Sequence, residues 1–223
     1  TGNRFLDSLA RHAHYFFINR FSECWVPDEE GADSLAGELS HPNKLPAIPL
    51  HYIGALSRFY PIQTEKKYKA VIVLSGPEPQ RTIFENSILY QLADINEELI
   101  LVRGLPSNST SISVPSHINI INYLAADALN KLMQESHLVI ARSGYSTIMD
   151  LVAIQQKAIL IPTPGQTEQE YLSEILMQKH LALAIEQKKF NLRNIIFECE
   201  KFQYQIIDVE KFNEKRLEKL LSQ

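Results

Sequence analysis

The 223-residue sequence contains only two cysteines, Cys24 and Cys199, and it has no long hydrophobic run. Two cysteines alone can form neither a disulfide framework nor a tetrahedral zinc site, and this low content is typical of proteins from a reducing compartment. No uninterrupted apolar run exceeds five residues, whereas a membrane-spanning helix needs about 20. The composition is otherwise that of a globular protein, with 45% hydrophobic and 22% charged residues.

The sequence also lacks a surplus of positive charge and the common phosphate-binding fingerprints. Its formal net charge is −4 and its isoelectric point is near 6.0, which argues against a nucleic-acid-binding surface. Neither the G-x-G-x-x-G pattern nor the P-loop G-x-x-x-x-G-K-[ST] occurs, which disfavours a dehydrogenase and an NTPase. The seven histidines show no metal-ligand spacing, so we expect no metal site.

Short aliphatic runs alternate with helix-length segments from Ala70 onward. Continuous apolar runs of this kind fit strands that are buried on both faces of a parallel sheet. Their alternation with helices predicts a Rossmann-like, doubly wound α/β domain. The predicted strands are Ala70–Leu74, Leu99–Val102, Ile118–Ile121, Leu138–Ala141, Ala158–Ile161 and Leu181–Ile185. The predicted helices are Arg81–Ala93, Asp127–Ser136, Ser146–Ile154 and Glu168–Gln178, while Arg103–His117 is predicted to be a loop.

The remaining sequence suggests further domain structure. We interpret residues 1–58 as the end of a preceding domain plus a linker, residues 59–206 as the Rossmann-like domain, and residues 207–223 as a helix that packs back on the N-terminal part. The sequence begins inside a helical pattern, so we expect it to be part of a longer protein. Additional predicted elements are a helix over Asn3–Asn19, strands at Glu23–Val26 and Leu50–Ile53, and a helix over Asp208–Gln223 capped by Asp208.

The most informative segment is Arg142–Asp150, with the sequence RSGYSTIMD. A predicted strand ends here, a glycine-containing turn follows, and a helix starts near Ser146. The amino end of a helix presents free N–H groups and a partial positive charge, which suit a diphosphate. Ser146 and Thr147 add hydroxyl donors, and Asp150 lies one turn later, where its carboxylate could accept hydrogen bonds from ribose hydroxyls. The alternative is an ordinary capped helix with a solvated aspartate.

Two other turns follow predicted strands. In Ile161–Glu170, the amide of Gln169 and the carboxylate of Glu170 fall in the first turn of a helix, and together they could hold sugar hydroxyls. The alternative is an acidic first turn favoured by the helix dipole. In Leu74–Thr82, Gly76 permits close approach of a ligand. Ligands of open parallel sheets bind at the carboxyl ends of the strands, where these turns lie.

These residues resemble the C-terminal, donor-binding domain of glycosyltransferase family 28 over roughly Gly54–Ile185. Arg142–Asp150 is similar to the family pattern R-S-G-x-x-T-x-x-[DE], and Pro162–Tyr171 to its P-x-x-x-Q-x-x-Q-[QE]-Y turn. Gly54–Arg58 resembles the interdomain segment G-x-P-V-R. The resemblance implies a GT-B-type fold and a UDP-sugar donor, with no metal and no cofactor. Residues that match the family's nucleotide-sugar-binding positions are Arg58, Gly76, Tyr123, Leu124, Gly144, Ser146, Thr147, Asp150, Gln169 and Glu170.

By this resemblance each residue has an expected role. Arg58 would pair with a phosphate, and Gly144, Ser146 and Thr147 would cradle the diphosphate. Asp150 would hold the ribose, and Gln169 and Glu170 would read the sugar. The turn at Gly76 would approach the donor, and the loop at Tyr123 and Leu124 would contact uracil.

The sequence departs from the family in two places. Ser75–Pro77 replaces the family's Gly-Gly-Ser turn, and Glu170 replaces a second glutamine, which leaves the identity of the sugar open.

The function implied by the resemblance is transfer of a hexose-type sugar, with N-acetylglucosamine as one candidate, from a UDP-sugar to an acceptor hydroxyl. The family's catalytic base lies in a preceding domain, so we expect this chain alone to be inactive. The resemblance implies a cytoplasmic enzyme and is compatible with peripheral association with the inner face of the membrane. Two alternatives remain: a UDP-sugar hydrolase or 2-epimerase on the same fold, and a non-catalytic nucleotide-sugar-binding or interaction module.

Overall fold

The computed structural model describes residues 13–106 and 111–209, together with residues 212, 218, 221 and 222. The chain divides into two compact units. The larger unit comprises Ser57–Val209, and the smaller unit comprises Thr1–Leu56 with Glu210–Gln223. All ten residues that resemble nucleotide-sugar-binding positions belong to the larger unit.

Six parallel strands form the sheet of the larger unit, namely β3 (Tyr68–Val73), β4 (Leu99–Val102), β5 (Ile118–Ile121), β6 (Ser136–Ala141), β7 (Ala158–Leu160) and β8 (Leu183–Ala184). Their order across the sheet is β5-β4-β3-β6-β7-β8. The chain runs outward from β3 through β4 to β5, returns to β6 beside β3, and continues in the opposite direction. The strand order therefore reverses between β3 and β6, and this confirms the doubly wound α/β fold.

Helices connect most of these strands. They are α2 (Gln80–Gln91), α3 (Ala126–Glu135), α4 (Tyr145–Ala153), α5 (Thr167–Gln178) and α6 (Leu192–Lys201). Each helix and strand predicted in this unit is present, with ends that mostly differ by one or two residues. The α6 helix was not predicted. The described parts of the predicted loop, residues 103–106 and 111–117, contain no helix or strand, and the remaining residues of that loop lie outside the description.

Alternate residues of the strands face opposite sides of the sheet, and both sides are buried. Ala70 and Ile72 of β3 belong to a core that also includes Phe84 of α2 and Ile195 of α6. Val71, between them, is also fully buried and faces the other side. Crossovers between parallel strands are right-handed, so connections that run in opposite directions along the sheet place their helices on opposite faces. The α2 connection runs from β3 toward β5, whereas the α4 and α5 connections run from β6 toward β8, so α4 and α5 cover the face on which Val71 lies. The sheet is thus covered on both faces, which explains its uninterrupted apolar strands.

The smaller unit contains a helix over residues 13–18 (α1) and two parallel strands, β1 (Cys24–Val26) and β2 (Leu50–Tyr52). The first ten residues of the helix predicted over Asn3–Asn19 lie outside the described residues. The prediction that Asp208 caps a C-terminal helix is wrong, because Val209 and Phe212 are not helical, whereas the described residues Glu218 and Leu221 of the predicted helix are helical. Most of the remaining residues of that predicted helix also lie outside the described part. None of the described helices is long and apolar enough to cross a membrane.

Candidate functional site

The turn between β6 and α4 lies at the carboxyl edge of the sheet, beside the point where the strand order reverses. Gly144 caps α4 in an extended conformation, with φ −70° and ψ 141°, and the first turn of α4 contains no acidic residue. Ser146 is exposed, and Gly144 and Thr147 are half-buried. Among the described residues, no hydrogen bond occupies the backbone N–H of Ser146 or Thr147. The amino end of α4 is therefore open to solvent and electropositive.

Gly144 has no structural requirement to be glycine. Its φ lies in the region that every residue adopts, and a Cβ atom built on it would meet no atom within 4 Å. Gly104 is different, because it has φ +70° and its Cβ would lie 2.6 Å from the carbonyl oxygen of Leu74. Neither the backbone conformation nor the packing therefore requires glycine at position 144. A glycine at such a position leaves room for a ligand to approach the backbone closely.

Arg142 lies beneath this turn and is 2% exposed. Its guanidinium donates to the carbonyl oxygens of Ile161 (3.1 Å), Pro162 (3.2 Å) and Gln80 (3.3 Å). It also lies 4.4 Å from the centroid of the Phe84 ring. No carboxylate pairs with it among the described residues, and burial lowers its pKa to about 10. Arg142 therefore joins three βα turns and leaves a buried positive charge under the site.

Asp150 lies in the second turn of α4, on the same face as Ser146 and Thr147. It is half-buried, and its Oδ1 atom accepts a hydrogen bond of 2.6 Å from the hydroxyl of Ser57. This bond brings the segment that carries Arg58 to α4. Arg58 is exposed, and its guanidinium carbon lies 5.5 Å from the centroid of the Phe59 ring.

The turn between β7 and α5 carries Gln169 and Glu170 in the first helical turn. The side-chain oxygen of Gln169 accepts from the Thr163 N–H (2.9 Å), and one Glu170 carboxylate oxygen accepts from the Gly165 N–H (3.1 Å). The Ser143 hydroxyl donates to the Gln169 carbonyl oxygen at 2.8 Å and so joins α5 to the α4 turn. Both side chains thus brace their own turn, and Glu170, which is exposed, borders a cleft of about 640 Å³.

The first βα turn, after β3, has a different character. Gly76 adopts φ +100°, which explains the glycine, and it is exposed. The Glu78 carboxylate accepts from the Thr82 N–H (3.1 Å) and from Arg81 Nε (2.6 Å). A hydrogen bond from Thr82 and another from Arg81 lower the pKa of Glu78. The amino end of α2 is therefore already occupied by a carboxylate of the protein.

The loop with Tyr123 and Leu124 follows β5 at the edge of the sheet. Tyr123 is exposed and Leu124 is half-buried. The residue before them, Asn122, accepts a hydrogen bond of 2.9 Å from Arg103, which also pairs with Glu85. Three strand spacings of about 4.8 Å separate β5 from β6, so this loop lies roughly 14 Å along the same edge.

The predicted site residues other than Arg58 thus lie along the carboxyl edge of one sheet, and Ser57 links the segment of Arg58 to Asp150. Sequence reasoning missed Ser57, the burial of Arg142 and the bridging role of Ser143. It also missed Thr163, which is 2% exposed and whose hydroxyl has no hydrogen-bond partner among the described residues. No group of three or more metal-ligating side chains occurs in the described part of the chain.

Sequence comparison gives curated relatives with one shared activity in their names. A UDP-N-acetylglucosamine–N-acetylmuramyl-(pentapeptide) pyrophosphoryl-undecaprenol N-acetylglucosamine transferase of Prochlorococcus marinus (strain MIT 9515) is 30% identical over 171 residues, which cover 68% of this chain and 45% of the relative. The protein of that name from Methylorubrum extorquens (strain PA1) is 45% identical over 60 residues, covering 26% of this chain and 16% of the relative. The chain spans about half the length of the first of these relatives.

Solved structures share the fold. The glycosyltransferase of kitacinnamycin aligns with a TM-score of 0.52 and 14% identity, covering 69% of this chain and 40% of the other. The spinosyn forosaminyltransferase SpnP aligns with a TM-score of 0.50 and 13% identity, covering 91% of this chain and 55% of the other. The sequence profile of the glycosyltransferase family 28 C-terminal domain matches residues 70–219. The chain therefore belongs to glycosyltransferase family 28, through the C-terminal domain of that family.

Proposed function

We propose that this chain is the donor-binding part of a glycosyltransferase that moves a hexose-type sugar from a UDP-sugar to an acceptor hydroxyl. The relatives named for N-acetylglucosamine transfer support that sugar as the first candidate, and the lipid-linked acceptor in their names as the first candidate acceptor. A cytoplasmic enzyme associated with the inner face of the membrane would fit such an acceptor.

The single observation that carries this proposal is the open amino end of α4. The first turns of α3 and α5 contain acidic residues, namely Asp127, Glu168 and Glu170, and the amino end of α2 is capped by Glu78. The first turn of α4 has no acidic residue, and Arg142 adds positive charge beneath it. Of the four helices that follow strands at this edge, α4 is the one that best suits an anion.

The same arrangement accounts for the chemistry of the donor. In sugar transfer the bond between the anomeric carbon and the phosphate oxygen breaks, and UDP leaves with the electron pair of that bond. The acceptor oxygen forms the new bond to the anomeric carbon and gives its proton to a base. Positive charge from Arg58, Arg142 and the α4 amides would stabilise the leaving diphosphate without a metal ion. We expect the base to lie outside this chain, as the resemblance to the family implies.

Calorimetric titration with UDP and with uridine tests the proposal. We expect the chain to bind UDP more tightly than uridine, because the diphosphate contacts the α4 amides. Gly144→Ala is the sharpest variant, since its added methyl group strains neither the backbone nor the packing. It should leave the unfolding midpoint unchanged and weaken UDP binding about tenfold or more, whereas uridine binding stays the same.

A matched control places the same change where no ligand is expected. Arg193 is exposed like Arg58 but lies in α6, so Arg193→Met should leave UDP binding unchanged while Arg58→Met weakens it. Equal binding of UDP and uridine by the unaltered chain, or UDP binding that Gly144→Ala leaves intact, would contradict the proposed site.

A further inference from the structure

The hydroxyl of Ser57 makes two hydrogen bonds, one of which joins distant parts of the chain. It donates to Oδ1 of Asp150 at 2.6 Å, across 93 positions of sequence, and it accepts from the N–H of Phe59 at 3.0 Å. A serine hydroxyl can do both at once because it has one donor and two acceptor lone pairs. Ser57 therefore fixes the segment before β3 to the side of α4.

The first consequence concerns Arg58. Its neighbour on one side is held to α4 by the Ser57 bond, and its neighbour on the other side, Phe59, is 3% exposed. The backbone of Arg58 is therefore anchored at both ends, while its side chain remains exposed. A cation on an anchored backbone loses less conformational freedom when it pairs with an anion than a cation on a mobile segment does.

The second consequence concerns Asp150. The bond to a charged acceptor is short and strong, and it restricts rotation of the carboxylate about its last side-chain torsion. A carboxylate has about four lone-pair sites, and the bond from Ser57 uses one of them. The carboxylate is thus oriented before any ligand arrives, on the α4 face that also carries Ser146 and Thr147.

We infer that Ser57 is a positioning residue of the donor site, which orients Asp150 toward the ribose hydroxyls and holds Arg58 beside the diphosphate. This inference rests on the proposed function, because it assigns both partners to a UDP-sugar. Ser57 itself need not touch the ligand. A single hydroxyl thereby couples recognition of the ribose to recognition of the diphosphate.

Three substitutions of Ser57 separate the hydroxyl from the volume of the side chain. Ser57→Val and Ser57→Thr have nearly the same shape, but only threonine keeps the hydroxyl, and Ser57→Ala removes it without adding volume. Ser87→Ala in α2 is the control, because Ser87 is also half-buried but lies outside the site. Each variant of the chain is titrated calorimetrically with UDP, 2′-deoxy-UDP and uridine, and its unfolding midpoint is measured.

We expect Ser57→Ala and Ser57→Val to weaken UDP binding about tenfold, the effect of losing one hydrogen bond to a charged group. The preference for UDP over 2′-deoxy-UDP should fall toward one, because Asp150 is no longer oriented. Ser57→Thr and Ser87→Ala should retain the affinity and the preference of the unaltered chain. A serine that only stabilises the fold would change the unfolding midpoint and leave the ratio between the two ligands unchanged.

A double-mutant cycle with Asp150→Asn completes the test. If Ser57 acts through Asp150, the double variant and the Asp150→Asn variant should show nearly the same preference for UDP over 2′-deoxy-UDP. Ser57→Ala and Ser57→Val variants that bind and discriminate like the unaltered chain would overturn the inference while leaving the proposed function intact. Failure of the unaltered chain to bind UDP would instead overturn the proposed function, and the role of Ser57 with it.

Discussion

Replacing Arg142 with methionine tests whether the buried guanidinium holds the site together. Arg142 is the largest fully buried side chain among the described residues, and three carbonyl oxygens of neighbouring turns accept its hydrogen bonds. Methionine fills much of the same volume without a donor or a charge. The substitution therefore removes the bonds and the charge and keeps most of the packing against Phe84.

Two opposing effects set the magnitude. Burial lowers the pKa of Arg142 from its ordinary value to about 10, which corresponds to a cost of roughly 3 kcal/mol for keeping the charge there. Methionine relieves that cost. It also removes three hydrogen bonds from a charged donor, worth about 2 kcal/mol each, or roughly 6 kcal/mol in total. The loss exceeds the relief, so we expect Arg142→Met to lower the free energy of unfolding by about 3 kcal/mol.

Urea unfolding followed by circular dichroism measures this change. Arg142→Lys should lie between the unaltered chain and Arg142→Met, because an ammonium group keeps the charge but lacks the planar fork that reaches carbonyls in different turns. An Arg142→Met variant as stable as the unaltered chain would refute the reasoning, since desolvation would then outweigh the three hydrogen bonds. An Arg142→Lys variant less stable than Arg142→Met would refute it as well.

Three further changes give separate tests. Gly104→Ala should lower the free energy of unfolding by about 2 kcal/mol or more in a urea titration, because of its positive φ and the contact with the Leu74 carbonyl oxygen. Burial alone would raise the pKa of Asp28, but bonds from Ser34, Ser40 and two backbone N–H groups lower it overall. The stability that Asp28 contributes is therefore present above pH 3.8 and lost as the pH falls through its folded-state pKa. Asp28→Asn should thus make the free energy of unfolding, followed by Trp25 fluorescence, less dependent on pH in the acid range. The same change at the exposed Asp33 should leave that dependence as it is. Glu170→Gln keeps an acceptor for the Gly165 N–H, so it should leave UDP affinity unchanged and raise the affinity for UDP-N-acetylglucosamine in a competition titration.

The fold could be predicted from the sequence because each strand is an apolar run with turn residues at its end. The β4 and β5 strands match their predicted bounds, since Leu99–Val102 is buried throughout and Ile118–Ile121 is set between polar residues. The α6 helix was missed although its sequence contained a signal. Asn191 caps it through a bond to the Asn194 N–H, and Leu192, Ile195, Ile196 and Cys199 recur at helical spacing.

The candidate site could be predicted where its residues are contiguous in sequence. Gly144, Ser146, Thr147 and Asp150 occupy one strand–turn–helix segment, and their placement follows from local geometry. The bond between Ser57 and Asp150 could not be predicted, because it joins positions 93 apart whose approach depends on the whole sheet. Nothing local distinguishes Ser57 from a solvated serine in a linker.

The three buried arginines of the larger unit show why sequence alone leaves the charge of the site undetermined. Arg81 and Arg103 pair with Glu85, and Arg81 also pairs with Glu78, so the turns after β3 and β4 are close to neutral. Arg142 is equally buried but has carbonyl oxygens as partners, so its positive charge is not cancelled. The sequence alone does not show whether a buried arginine pairs with a carboxylate or with carbonyl oxygens. In the folded chain the difference concentrates positive potential under α4, the helix whose amino end is open. An anion that binds there offsets the desolvation cost of Arg142, which gives a physical reason for keeping a buried, unpaired cation in this position.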